Sequence, residues 1–317
     1  MERSRAGRET LMLKFIIRRL LTTFPLVLIV VSLTWGLVRL APGNFYTGEK
    51  RLPPSIEQNL RAKYGLDKPW YVQYARMIAN TARGDFGTSL KYEGQSVNAI
   101  LRRAFPVSAI VGLMAYSLSL LVGITSGLFA AIRHNSKWDY TSMTFSMLGI
   151  SVPTFVLGPI LVLLFSLTLY WFPPARWDGF ATRSAVLPVL TLSVIYMAYI
   201  ARLTRSGMLE VLRSDYIRTA RAKGLSETAI VLKHAFRGGI IPVVSLTGPA
   251  LAGLITGTVV VERIFVLPGL GTYFINANLN RDEPLILGIV AFISITILIC
   301  NLIVDIVYAV IDPRIRY

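Results

Sequence analysis

Histidine and cysteine, the side chains most often used for metal binding and for acid–base or nucleophilic work near neutral pH, are sparse in these 317 residues: two histidines, His134 and His234, and one cysteine, Cys300. Metal-assisted hydrolysis on a helix would need paired ligands such as HExxH, and acid–base catalysis within a membrane would need facing carboxylates or a nucleophile beside its base. Neither pattern occurs; both histidines fall in polar stretches between apolar runs, and Cys300 lies inside one. Two polar pairs fall within or at the ends of apolar runs: Glu262 with Arg263, and Asn301 with Asp305 one helical turn further on. An aspartate at membrane depth costs about 2.5–3.5 kcal/mol. Such groups therefore bond a neighbouring helix or line a path, and Glu262 with Arg263 reads as an interfacial or gate contact. An intramembrane enzyme is the remote alternative, and the chemistry left to this chain is recognition and displacement.

The densest pattern is the basic segment 202–239, far richer than a reconnecting loop requires. Ser214 or Asp215 is expected to accept a hydrogen bond from the free amides of a helix beginning at Tyr216, and Gly224 supplies the left-handed residue that ends it. At 100° per residue Tyr216, Ile217 and Ala220 share a side while Arg218 and Arg221 point away. That apolar ridge edged by cations suits a groove on a partner or a lipid surface. Ser226 is expected to cap a second helix through Ile230, Val231 and Leu232, halted at Gly238 and Gly239 ahead of Pro242.

The elements that must position this segment are membrane helices. The chain is 54% hydrophobic, beyond what one soluble core needs, and about 18 mostly apolar residues cross a hydrocarbon layer as a helix. Six runs qualify: 15–40, 107–132, 141–171 with Pro153 and Pro159 inside it, the short 185–201, 240–261 and 285–310. None alternates as barrel strands do. The expected fold is all-α and polytopic.

Lysine and arginine near span ends stay on the cytoplasmic side when loops are short. Arg3, Arg5, Arg8, Lys14, Arg18 and Arg19 place the N-terminus inside; six crossings then leave Arg133, Lys137, the basic segment, and Arg314 with Arg316 inside. Residues 41–103 fall outside, although basic, because the rule acts weakly on long loops. The net charge of +16 is carried mostly by cations flanking spans, where they meet anionic lipid headgroups; no nucleic-acid-binding module is visible. The first run is too long for a signal-peptide core and lacks an A-x-A site, so an uncleaved helix is expected. Met12 would make a natural start, leaving 1–11 as an extension.

In the external segment Ser55 is expected to cap a helix through Lys63, stopped by Gly65, and Pro69 to start a second, amphipathic one bearing Trp70, Tyr71, Tyr74 and Met77. Pro153, Pro159, Pro188 and Pro249, with Gly248, Gly253 and Gly257, are expected to bend spans or let them approach closely.

Several motifs carry a family resemblance: YIRTARAKGLS from Tyr216 with His234 and Pro242, RLAPG at 39–43, GDFGTS at 84–89, ITGTVVVERIFVLPGLG at 255–271 and VIDPRIRY at the end. Together they resemble the membrane subunits of ABC importers, and within them the B-type subunits of oligopeptide permeases. Gly224 takes the place of the signature loop's glycine and Ala220 that of its second alanine, while Arg218 and Thr219 stand where the general family has Glu and Ala, as is usual in the peptide branch.

The resemblance implies a six-helix subunit whose last five helices form the shared, MetI-like importer core. It divides the chain into 1–40, the external 41–103, and a core 104–317 that includes the loop 202–239. It also implies a cell inner-membrane location, a homologous C-type permease subunit, two cytoplasmic ATPases carrying ATP and Mg, and an external peptide-binding protein, with no cofactor on this chain itself. Asp215, Tyr216, Ile217, Ala220 and Gly224 would then couple to the ATPase, with Arg218, Arg221 and Lys223 at the rim. Dipeptides, nickel chelates or glutathione are alternative cargoes for the same machinery.

Overall fold

The structure, a computed structural model, describes residues 25–41, 65, 67–180 and 182–311, the side chains of 305–311 excepted. Its helices are α1 (Pro25–Leu40), α2 (Trp70–Ala82), α3 (Val97–Ile132), α4 (Lys137–Ser151) and α5 (Thr154–Leu161), which continues as wide π turns over Val162–Thr168. Then come α6 (Val186–Leu212), α7 (Asp215–Ala222) and α8, which starts at Glu227–Ala229 and runs through the π turns Ile230–Ala235 to Phe236–Gly239. The remainder are α9 (Ile241–Ile255), α10 (Val259–Ile264), α11 (Leu270–Leu279) and α12 (Glu283–Ile311).

Among the described residues four stretches could by length and composition cross a bilayer alone: α3, α6 with its preceding turn, α9 with α10, and α12. The pair α4–α5 could form a fifth, and α1 is the described part of the first expected run, 15–40. Pro69 precedes α2 as expected; the helix expected to start at Ser55 lies outside the described residues.

Three spans differ from the sequence reading. The third is two helices bent by 105°. Val152 and Pro153 are extended there, because Pro153 has no amide to continue the ladder and drives the residue before it out of helical geometry. The fourth is not short: α6 continues to Leu212, about 40 Å at 1.5 Å per residue, since its polar C-terminal turns remain packed on the chain. The fifth ends at Ile255 and restarts at Val259, with Gly257 at φ +90° between.

The described chain divides into two compact units. One holds the described residues up to Pro106 together with Gly269–Leu302. Its core joins Val97, Ile100 and Leu101 of α3 to Leu270 and Ala277 of α11 and to Leu285 and Ile289 of α12. Asp282, fully buried, takes hydrogen bonds from the Ser89 hydroxyl and from the amides of Leu90 (3.0 Å), Lys91 (3.2 Å) and Leu285 (3.3 Å). It thereby caps α12 and fixes the GDFGTS turn to it. Arg39 stacks over Trp35 and lies 3.5 Å from Glu283.

The other unit holds the described residues of Val107–Pro268 and the end of α12 from Ile303, and is built around α6. The apolar stretch of α6 is 61% enclosed, against 33–50% for the other single spans. α3 approaches it so closely that a Cβ at Gly127 would overlap the Ala201 carbonyl oxygen and lie 2.8 Å from Thr204 Cβ. α4 packs on the same helix through Gly149, opposite Val194 and Ala198. Hydrogen bonds cross the bundle from Ser119 Oγ to the Ser193 carbonyl (2.9 Å) and from Tyr116 OH to Thr247 Oγ1 (2.7 Å).

Candidate functional site

α6 leads through Arg213 and Ser214 directly into α7, which folds back with α8 as a helical hairpin. Its start differs from expectation: the Ser214 hydroxyl donates to the Val211 carbonyl (2.6 Å) and no side chain caps the helix. Asp215 instead pairs with Arg218 one turn on, at 3.1 Å. Its end is the expected one. The Gly224 amide donates to the Arg221 carbonyl (2.9 Å) and the Leu225 amide to that of Ala220 (3.4 Å), with Gly224 at φ +78°. Those paired bonds form a Schellman stop that needs a left-handed residue. Nothing lies within 4 Å of where its Cβ would be, so glycine is required here for conformation and not for space.

The apolar ridge does not face outward. Ile217 is wholly buried and Ala220 nearly so, packed with Met208 of α6 and with Ile230, Val231 and Ala235 of α8. Burying Ile217 and Ala220 against the chain's own π-wound helix removes that face from water and leaves neither side chain open to a partner. Tyr216 is half exposed, with its hydroxyl 3.5 Å from the His234 carbonyl. The outward face is Arg218, Thr219, Arg221, Ala222, Lys223 and Leu225.

A bidentate pair braces the hairpin: Arg221 Nε and Nη2 donate to the two carboxylate oxygens of Glu227 at 2.7 and 3.2 Å. That hydrogen-bonded guanidinium lowers the Glu227 carboxyl below its ordinary value. Ser226 caps α8 by accepting from the Ala229 amide, as expected. The structure thus brings Asp215, Tyr216, Ile217, Arg218, Ala220, Arg221, Lys223 and Gly224 onto one element, with the apolar members as its anchor and the cations as its surface.

The other four expected residues do not join this site. Glu262 turns into the core, 3% exposed, and accepts from Ser108 Oγ at 2.7 Å. Arg263 beside it is exposed, so the two side chains stand in different surroundings. Asn301 is half buried on α12, and the Asp305 side chain lies outside the described residues. No three of His, Cys, Asp and Glu come together as metal ligands among the described residues.

One cluster was missed from the sequence. Asp139, 1% exposed at the start of α4, receives Arg205 of α6 through Nε (2.5 Å) and Nη2 (2.8 Å), along with the Asn135 amide (3.0 Å). His134 Nδ1 lies 3.3 Å from both Asp139 Oδ2 and Arg205 Nη2. The partners are 66 residues apart, and Arg205 reads in sequence as one more loop cation. The only available signal is an aspartate among apolar residues within a helix turn of a cap.

Several helices long and apolar enough to cross a bilayer, with a braced polar hairpin at the end of α6, define a multi-pass membrane protein. Its fold resembles a chain of the inward-facing MetNI methionine ABC transporter, with a TM-score of 0.53 at 16% identity, over 67% of this chain and 96% of that one. The chain belongs to the family of binding-protein-dependent transport system inner membrane components, whose pattern matches residues 123–317, with the family's N-terminal pattern matching 12–110. It is 47% identical to the oligopeptide transport system permease protein OppB of Haemophilus influenzae and 46% identical to OppB of Escherichia coli (strain K12), each over 96% of this chain and all of the relative. The dipeptide transport system permease protein DppB of Bacillus subtilis is 40% identical, over 96% of this chain and 98% of that protein.

Proposed function

We propose that this chain is the non-catalytic, membrane-spanning subunit of an ATP-driven importer that takes up oligopeptides handed over by an external binding protein. It pairs with a homologous second permease subunit around the path. Two cytoplasmic ATPases, which carry the ATP and Mg, hold the α7–α8 hairpin, and both chain termini lie on that side of the cell inner membrane. The observation that carries this reading is the construction of the hairpin. α7 is anchored by Ile217 and Ala220 in the chain's own core, braced by Arg221 and Glu227, and continuous with α6 through two residues. A displacement applied to its basic face therefore moves α6 instead of dissipating in a loose loop. The likeness to oligopeptide permeases over nearly the full length supports the cargo.

The test is photo-cross-linking in native membranes from a reactive residue placed at Lys223, with uptake measured in parallel. Capture of a nucleotide-hydrolysing subunit is expected; a hairpin that captures none overturns the coupling role. Uptake by the reconstituted complex of longer peptides over dipeptides, nickel chelates or glutathione is expected for the cargo, and preference for any of the others replaces it.

A further inference from the structure

The Asp139–Arg205 pair stands at the cytoplasmic end of two elements that the coupling reading leaves unconnected: α6, which leads into α7, and the bent span α4–α5. Asp139 holds three things at once. It takes the Asn135 amide in the turn after α3, where Asn135 is itself left-handed at φ 61°. Its own amide reaches the Ser136 hydroxyl that caps α4. Both its oxygens receive the Arg205 fork from α6.

A buried ion pair is a poor source of net stability, because desolvation offsets most of its attraction. A bidentate fork is a good source of geometry, since sliding or rotating one helix against the other breaks both bonds together. Lower down, the same helices meet through Gly149 against Val194 and Ala198, a smooth contact that resists sliding weakly.

We propose that Asp139 and Arg205 are positioning residues that clamp α4 to α6, so that the two helices travel as one body during transport. The stroke received at α7 then reaches the bend at Val152 and Pro153 as well as α6. This rests on the reading of α7 as the receiver of the stroke.

The test uses the whole transporter with its partner subunits, carrying Cys300→Ala and spin labels at Lys137→Cys and Ser206→Cys, two exposed positions flanking the clamp. Between the nucleotide-free and vanadate-trapped states the label separation is expected to change by less than about 2 Å, the scale of ordinary helix shifts; a larger change overturns the clamp. In Asp139→Asn the separation should broaden, and ATP hydrolysed per peptide imported should rise about fivefold per assembled complex, a coupling loss of ordinary size. Arg205→Lys, which keeps charge but loses the fork, should fall between. An unchanged ratio in assembled Asp139→Asn overturns the proposal, and if that variant fails to assemble, the label separation in the otherwise unaltered complex decides. Failure of the underlying reading shows separately, as absence of ATPase capture at Lys223.

Discussion

Gly224 and Arg221 end α7 by different physics, and variants separate them. A non-glycine residue in left-handed geometry costs roughly 1–2 kcal/mol, and the open space around Gly224 adds no clash. Gly224→Ala should therefore open the hairpin enough to speed trypsin cleavage after Lys223 by about fivefold, the factor that about 1 kcal/mol commands; an unchanged rate contradicts the Schellman stop. The brace is electrostatic and exposed, hence weak and salt-sensitive. Because Arg221 lowers the Glu227 carboxyl, the brace is complete above the ordinary glutamate value of 4.5 and is lost as pH falls through the lowered one. Carboxyl NMR should find Glu227 titrating below 4.5 and returning toward it in Arg221→Gln; no difference between the two would remove the brace.

Among the elements, the contact of α3 with α6 leaves no room for a side chain at Gly127. Gly127→Val places carbon where Ala201 carbonyl oxygen and Thr204 Cβ already stand, and overpacking of this kind costs about 1–3 kcal/mol. Gly253→Ala on α9 meets only Tyr196 OH at 3.7 Å, and alanine favours the helix by about 1 kcal/mol. The expected result is a lower thermal-unfolding midpoint in detergent for the first and an equal or higher one for the second; a tolerated Gly127→Val would mean that the helices part easily.

What the sequence disclosed of these elements depends on how local the cause is. The stop at Gly224 and the cap at Ser226 are set by neighbours within five residues and were legible. The inward turn of Ile217 and Ala220 was not, because periodicity gives a face without saying what covers it. The cover is α8, whose π winding no propensity announces. The break after Ser151 was half visible: Pro153 marks a place, whereas 105° is set by what the two halves pack against. The bond that Glu262 makes was illegible for a similar reason, since its polar partner Ser108 is 154 residues away.

For the molecule as a whole the proposed topology puts successive loops on opposite sides, and single cysteines in a Cys300→Ala background test it. Arg176→Cys, highly exposed between α5 and α6, should react with an impermeant thiol reagent from outside, and Lys223→Cys only after the membrane is opened. Reaction of both from the same side would overturn the orientation proposed for the hairpin.

The bonds made by Asp282 also set an order of events during synthesis. Ser89, Leu90 and Lys91 leave the ribosome more than 190 residues ahead of the carboxylate that holds them, so the turn they form must wait through the making of most of the protein, and contacts so distant along the chain form late. A chain broken off before residue 282 would lack the carboxylate that these three donors share, and the GDFGTS turn would lose its tie to α12.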